Sequence, residues 1–378
     1  MTKEPLRIAL ILSRIEQTGV TTHTLDLTEG LVKEGHHVFL ITGGVTEDKS
    51  DRVYQFYDEF RNLGVEITEF ITPGGGKLKK VLDSFKLVNQ IGKAIKKINP
   101  QVIHVQSPYL TFIPWLLGKK YLTTLHNTRL TTSLKFKKPT HMIAISEESK
   151  AMSQRVFGIA EKDITIVNHG VKDRFRTPIS QQEKLLVKAE HGIVVDKIVM
   201  GCVGRTTWQK GCDVLIEAAA GLSALDQEKV QLLFLGGEEG TEPHQWIHKE
   251  IQKNGVSGFT KVIPFQDPKP FYDIFDIFVL PSRMESFPLV PVEAMMSGCA
   301  VVRSDTEGAF EQTSHEKDGL IFKSEAVTQL TEQLSSLIND KESRERLGKN
   351  AKEKALQQFT IPVMTKNTIA LYQRFKNY

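Results

Sequence analysis

Apolar runs of four to eight residues, rich in Val and Ile, alternate along the chain with stretches whose apolar residues recur at helical spacing. That alternation predicts parallel β-sheet with crossover helices, an α/β fold. Strands are expected at 6–12, 37–42, 65–70, 102–105, 122–125, 142–145 and 164–167, with helices between most of them. A second series is expected at 197–203, 231–235, 261–263, 277–280, 300–303 and 319–322. The segment 171–195 holds Pro178 and a polar helix-like stretch but no strand, so the hinge is placed there. Two doubly wound, Rossmann-like domains follow, 1–172 and 173–359, with a C-terminal helix at about 360–378 packing back on the first and a cleft between the halves. Ligands in such sheets sit beyond the carboxyl ends of the strands, which directs attention to the turns that follow them.

The length of 378 residues suits two cores, and 40% hydrophobic with 25% charged residues is ordinary for a globule. No apolar run approaches the ~20 residues that span a bilayer, so a cytoplasmic location is expected. Cys202, Cys212 and Cys299 form no CxxC pair and read as buried thiols. Charge is uneven: residues 1–170 carry 23 Lys and Arg against 17 Asp and Glu, and the remainder 26 against 28. The first half should therefore face something acidic, and charge alone does not choose among nucleic acid, anionic lipid and a phosphorylated small molecule.

Two turns carry chemistry. The strand at 197–203 runs into GRTTWQKG, residues 204–211, and then into an apolar helix. A glycine turn with Arg205 and Lys210 at a helix N-terminus suits a diphosphate, although a solvated turn with idle cations has the same sequence. The second turn is SRMESFPLVPVEAMMSGCAVV, residues 282–302, where Glu285 stands at a strand's carboxyl end and Glu293 follows on an apolar helix. Among Leu289, Val290, Val292, Ala294 and Met295 the Glu293 carboxylate needs a hydroxyl or cationic partner, and a ribose diol would serve. Glu285 alone could be a helix N-terminal acid stabilised by the dipole.

With the E-x7-E spacing, the G-R-x4-K-G loop and an N-terminal glycine turn opening a helix, the chain resembles the retaining glycosyltransferases of the GT-B fold, family 4, also described as glycosyl transferases group 1. The resemblance implies an N-terminal acceptor domain and a C-terminal nucleotide-sugar domain, with transfer between them and no obligatory metal or other cofactor. It implies that Glu293 binds the donor ribose, Glu285 lies near the transferred sugar, and Arg205 and Lys210 hold the diphosphate. Gly19 would offer its backbone N–H from the first domain, and His126, in LHNT, would contact the donor sugar. Gly204, Phe287, Leu289 and Val290 fall in the donor-binding turns, and Phe265 falls where the family's base-binding loop lies, with core packing as its alternative. His104, in VIHVQSP, reads as structural or acceptor-side, and Glu311 matches an acid that follows a glycine turn or caps its helix.

The chain departs from the family where Thr18 precedes Gly19, where Glu285, Ser286, Phe287 and Pro288 replace E-G-F-G, and where His169, Gly170, Val171 and Lys172 replace N-G-[VI]-D. Proline offers the donor no N–H, so the sugar's identity stays open. No G-x-G-x-x-G follows the first strand, TPGGGKL at 72–78 lacks the residues of a P-loop, and neither HExxH nor a Cys-His cluster is present, which argues against a dehydrogenase, a P-loop kinase and a zinc site.

The segment 77–98 places Leu78, Val81, Leu82, Phe85, Val88, Ile91, Ile95 and Ile98 on one helical face and carries seven lysines against Asp83. Its stripe suits packing on the N-terminal sheet, or peripheral contact with an anionic membrane on the inner face of the plasma membrane. The expected activity is retaining transfer of a hexose-type sugar from a nucleotide diphosphate sugar, UDP favoured, to the hydroxyl of a carbohydrate, lipid-linked or acidic acceptor in envelope or glycoconjugate synthesis. Nucleic acid is not an expected partner. The alternatives are a non-catalytic glycosyltransferase-like subunit and a sugar-nucleotide epimerase on the same fold.

Overall fold

A computed structural model of the chain describes residues 4–46, 51–127 and 136–376. Two compact units are present, residues 1–170 with 361–378, and residues 171–360. In the first, β1 (Arg7–Leu12), β2 (His37–Thr42), β3 (Glu66–Glu69), β4 (Val102–Val105), β5 (Leu122–Leu125), β6 (His141–Ala144) and β7 (Ile164–Ile166) form a sheet in the order β3-β2-β1-β4-β5-β6-β7. In the second, β8 (Ile198–Val203), β9 (Val230–Leu235), β10 (Thr260–Ile263), β11 (Ile277–Leu280), β12 (Ala300–Ser304) and β13 (Leu320–Phe322) are ordered β10-β9-β8-β11-β12-β13. Every pairing is parallel. Central strands such as RIALIL and VQLLFL read as near-continuous apolar runs because helices cover both faces of each sheet. The fold is α/β with two doubly wound, Rossmann-like units.

Each sheet reverses its winding once, between β1 and β4 and between β8 and β11, and the crevice at such a switch point is the usual ligand site. The C-terminal helix Ile361–Phe375 belongs to the first unit, where Ile361, Met364, Ile369, Leu371 and Tyr372 join the core built on β1 and the helix Gly19–Lys33. The three cysteines are free and buried. Among the described residues no helix is long and apolar enough to cross a membrane.

The helix Lys77–Ile98 forms with the expected bounds, but its stripe divides. Ile91, Ile95 and Ile98 enter the core beneath β1 and β4, whereas Leu78 and Phe85 are 77% and 73% exposed, and Val81 and Leu82 are exposed as well. Packing on the sheet accounts for the C-terminal half of this helix and leaves the N-terminal half uncovered.

Candidate functional site

In the second unit the loop after β8 and the loop after β11 come together. Gly204 leaves β8 at φ +136°, a value that favours glycine, and its N–H is bonded to the Leu235 carbonyl at 2.9 Å. The Gly204 N–H is therefore engaged inside the turn, where the residue's conformational freedom lets the loop leave the strand. A single 3₁₀ turn, Trp208–Lys210, leads through Gly211 into the helix Cys212–Ala220. At Gly211, with φ +65°, a Cβ would fall 2.0 Å from the carbonyl oxygen of Pro281, so the two loops meet at backbone distance.

That contact sets Lys210 against Glu285. The lysine Nζ lies 2.6 Å from Glu285 Oε1, and the Ser282 hydroxyl donates to the same oxygen at 2.7 Å. The side chains are 26% and 9% exposed, so the pair is partly desolvated yet reachable from outside. Arg205, on the same turn, is exposed.

Arg283 fastens the two loops and carried no signal of its own in the sequence. Its guanidinium donates to both carboxylate oxygens of Asp213 at 2.7 and 2.9 Å, to the Trp208 carbonyl at 2.7 Å and to Glu325 at 2.8 Å. It also lies 4.5 Å from the centre of the Trp208 ring, within cation–π range. Bidentate pairing of this kind fixes orientation as well as charge. Arg283 thus positions the turn that carries Lys210.

Glu293 lies in the first turn of the helix Val290–Ser297, its N–H bonded to the Leu289 carbonyl at 2.9 Å. The hydroxyl partner that the sequence demands is present within the protein: the buried Tyr272 donates to Glu293 Oε2 at 2.8 Å. Burial pushes the carboxyl up to about 7, with the tyrosine hydrogen bond pulling the other way. Leu289 and Val290 are half-buried at the start of this helix. Phe287 is buried, its ring 5.9 Å from that of Phe359, so the side chain packs within the unit and only its backbone is left to meet a donor. Phe265 follows β10 and is 53% exposed, which removes core packing as its role. Glu311 is half-buried on the short helix Ala309–Gln312.

In the first unit a pocket of about 220 Å³ opens at the carboxyl ends of β1, β4 and β5, lined by Ser13, Glu16, Thr18, Gln106, Tyr109 and His126 among others. Gly19 starts the adjacent helix, where Thr18 is the N-cap residue without a side-chain cap, and nothing lies within 4 Å of where its Cβ would be. His126 Nε2 donates to Gln106 Oε1 at 2.8 Å, which leaves Nδ1 as the acceptor nitrogen. His104 is fully buried between the Tyr372 hydroxyl and Thr124 Oγ1, both at 2.7 Å, and is structural.

Three histidines widely separated in sequence meet behind His126. The ligand atoms of His23, His126 and His169 lie within 4.8 Å of one another, a cluster that no local motif announces. The His23 and His169 rings stack at 4.1 Å with planes 30° apart. A metal ion lies near the plane of each imidazole that binds it, and the stacked His23 and His169 planes do not converge on a point close to both rings, so in this arrangement those two do not share one ion. Burial lowers the affinity of all three for protons, strengthened at His23 and His126 by their histidine neighbours. His126 is consequently a neutral imidazole.

The C-terminal half of the chain, residues 184–354, matches the family model of the glycosyl transferases group 1, and residues 17–175 match that of glycosyltransferase family 4. An N,N'-diacetylbacillosaminyl-diphospho-undecaprenol alpha-1,3-N-acetylgalactosaminyltransferase of Campylobacter jejuni is 30% identical over 237 residues, covering 62% of this chain and 60% of that one. A glycosyltransferase of Methanocaldococcus jannaschii is 23% identical over 371 residues, 94% of each chain. Anabaena HepE, solved in complex with UDP, superposes with a TM-score of 0.82 over 97% of this chain and 99% of its own, at 17% identity. The two models between them account for both units, and the chain belongs to the group 1, family 4 glycosyltransferases of the GT-B fold.

Proposed function

We propose that the chain is a retaining glycosyltransferase that moves a hexose-type sugar from a nucleoside diphosphate donor, UDP-sugar favoured, to an acceptor hydroxyl in envelope or glycoconjugate synthesis. The observation that carries this reading is the Lys210–Glu285 pair at the β8/β11 switch point, beside Arg205 and within the unit that holds Glu293. The UDP bound by Anabaena HepE supports the base, and the undecaprenol-linked acceptor in the name of the Campylobacter relative supports a lipid-linked acceptor.

In the proposed reaction the bond from the sugar's anomeric carbon to the diphosphate breaks with its electron pair on the phosphate oxygen. The acceptor oxygen bonds to that carbon on the same face, and its proton passes to the leaving phosphate. Arg205 and Lys210 stabilise the charge that grows on the diphosphate, which takes the place of an obligatory metal. Glu285 faces the sugar and Glu293 the ribose diol. A panel of nucleoside diphosphates and their sugars, read by thermal stabilisation, tests the reading: UDP or another nucleoside diphosphate at 100 times its Kd adds roughly 2.7 kcal/mol of stability, and none doing so overturns it. Product formation only with acceptor present separates transfer from epimerisation.

Glu293 gives a prediction with a sign. Its folded pKa of about 7 exceeds its ordinary value of 4.5, so between these values the folded chain holds a proton that the unfolded chain has lost. Stability contributed by this group is full below about 4.5 and is lost as pH rises through about 7. Glu293→Gln is therefore expected to exceed the wild type in stability at pH 8, on the order of 3 kcal/mol, with the difference falling to a few tenths of a kcal/mol at about pH 4.5. The same substitution weakens nucleoside diphosphate binding. Urea melts at the two pH values, with calorimetry at pH 8, check both halves, and a variant less stable than wild type at pH 8 contradicts the first.

A further inference from the structure

The helix Glu242–Lys253 of the second unit carries His244 and His248 one turn apart, in HQWIH. Ile247 and Ile251 anchor it in the core of that unit, so the two histidines share the edge of its buried face, His244 half-buried and His248 exposed. Thr241 caps the helix by accepting from the His244 N–H at 3.4 Å. The rings meet at their Nε2 atoms, 3.2 Å apart, with centroids at 4.5 Å and planes 62° apart. Zinc bonds to an imidazole nitrogen at ~2.0–2.1 Å, so two nitrogens 3.2 Å apart subtend about 100° at one ion, near the tetrahedral angle. Planes inclined at 62° also cross, which the stacked His23 and His169 do not do close to both rings. Two neutral imidazoles in this pose share one Nε2–H between them; with both protons on Nδ1, the same pose turns two lone pairs on one cation.

An imidazole pair suits zinc and its transition-metal neighbours, whereas magnesium and calcium take oxygen ligands. Partial desolvation, and after it the neighbouring His244, lower the proton affinity of His248, so at neutral pH its ring is free to coordinate. The residue after the first histidine is Gln245, where the helical zinc motif of metalloproteases has a glutamate base. An amide takes no proton from a bound water. We propose that His244 and His248 form a zinc site, with water in the remaining positions, that holds an ion without hydrolytic chemistry of its own. A Cβ on Gly237 would fall 3.4 Å from His244 Cδ2 and 3.7 Å from Thr206 Cγ2, so the site stands across Gly237 from the residue that follows Arg205. The ion adds positive charge beside the turn after β8 and is separate from the Lys210–Glu285 pair. Its binding does not depend on the glycosyltransferase reading.

Zinc chloride is titrated into the full chain by calorimetry near neutral pH, beside magnesium chloride. Expected is saturable zinc binding that magnesium does not reproduce, weakened at least tenfold by His248→Ala and by His244→Ala. Gln245→Ala, at an exposed position between them, should leave it unchanged. No saturable zinc binding, or equal affinity in the wild type and both histidine variants, overturns the proposal: the rings then only share a proton, or the zinc lies elsewhere on the chain. UDP affinity measured without zinc should be the same in the wild type and both variants, which separates loss of the ion from loss of the fold. Its absence in the wild type sinks the donor assignment and leaves the zinc result standing.

Discussion

Lys210→Ala is expected to lower turnover about a hundredfold, close to 3 kcal/mol of transition-state stabilisation, with the fold retained. The lysine sits on a 3₁₀ turn, not in the core, and its ammonium lies 2.6 Å from a carboxylate that is itself only 9% exposed. Two roles are compatible with that geometry. The ammonium either keeps Glu285 from being a buried, uncompensated charge or acts on the diphosphate as negative charge accumulates there. Glu285→Gln separates them, since the amide needs no counter-charge. If lysine serves only Glu285, Lys210→Ala costs little in the Glu285→Gln background. If it serves the leaving group, the hundredfold loss persists there. We expect persistence, measured as kcat under saturating donor, and we expect Arg205→Ala to show a loss of the same order. Near-wild-type kcat in the Arg205→Ala, Lys210→Ala double variant would remove the phosphate role.

The parallel sheets were legible because a strand covered on both faces must be apolar along its whole length, and no surface helix has that signature. Arg7–Leu12, Val230–Leu235 and Ile277–Leu280 fall within a residue of their expected bounds for this reason. The chemistry-bearing residues were legible by type and by place after strands, but their partners were not. Lys210 and Glu285 are 75 positions apart, and nothing local links them until β8 and β11 lie side by side. Glu293 visibly needed a partner, yet Tyr272 is indistinguishable from a core tyrosine in sequence because it is one as well. The histidine cluster draws one residue from each of three separate turns or helices. On the helix Lys77–Ile98, periodicity identifies an apolar face but carries no information on what covers it, and here the sheet reaches only the second half.

Two glycines that look alike in sequence, each opening a helix after a strand, are expected to respond in opposite ways. Gly211→Ala should destabilise the second unit by about 3 kcal/mol or more, from two sources. A left-handed backbone costs alanine roughly 1–2 kcal/mol. The added Cβ would also stand 2.0 Å from the Pro281 carbonyl oxygen, and a backbone atom cannot rotate out of the way as a side chain can. Relief requires the loops to separate, which would pull Lys210 from Glu285 and Trp208 from Arg283. Activity should therefore fall with stability, and nucleoside diphosphate affinity with both. Gly19→Ala meets open space and replaces glycine by a better helix former at the first turn, so the melting temperature should hold or rise. If its N–H serves the donor as the family resemblance implies, the loss should be confined to donor affinity. Equal melting temperatures for Gly211→Ala and the wild type would show that the two loops can part without cost, and the positioning role given to their contact would fall with that result.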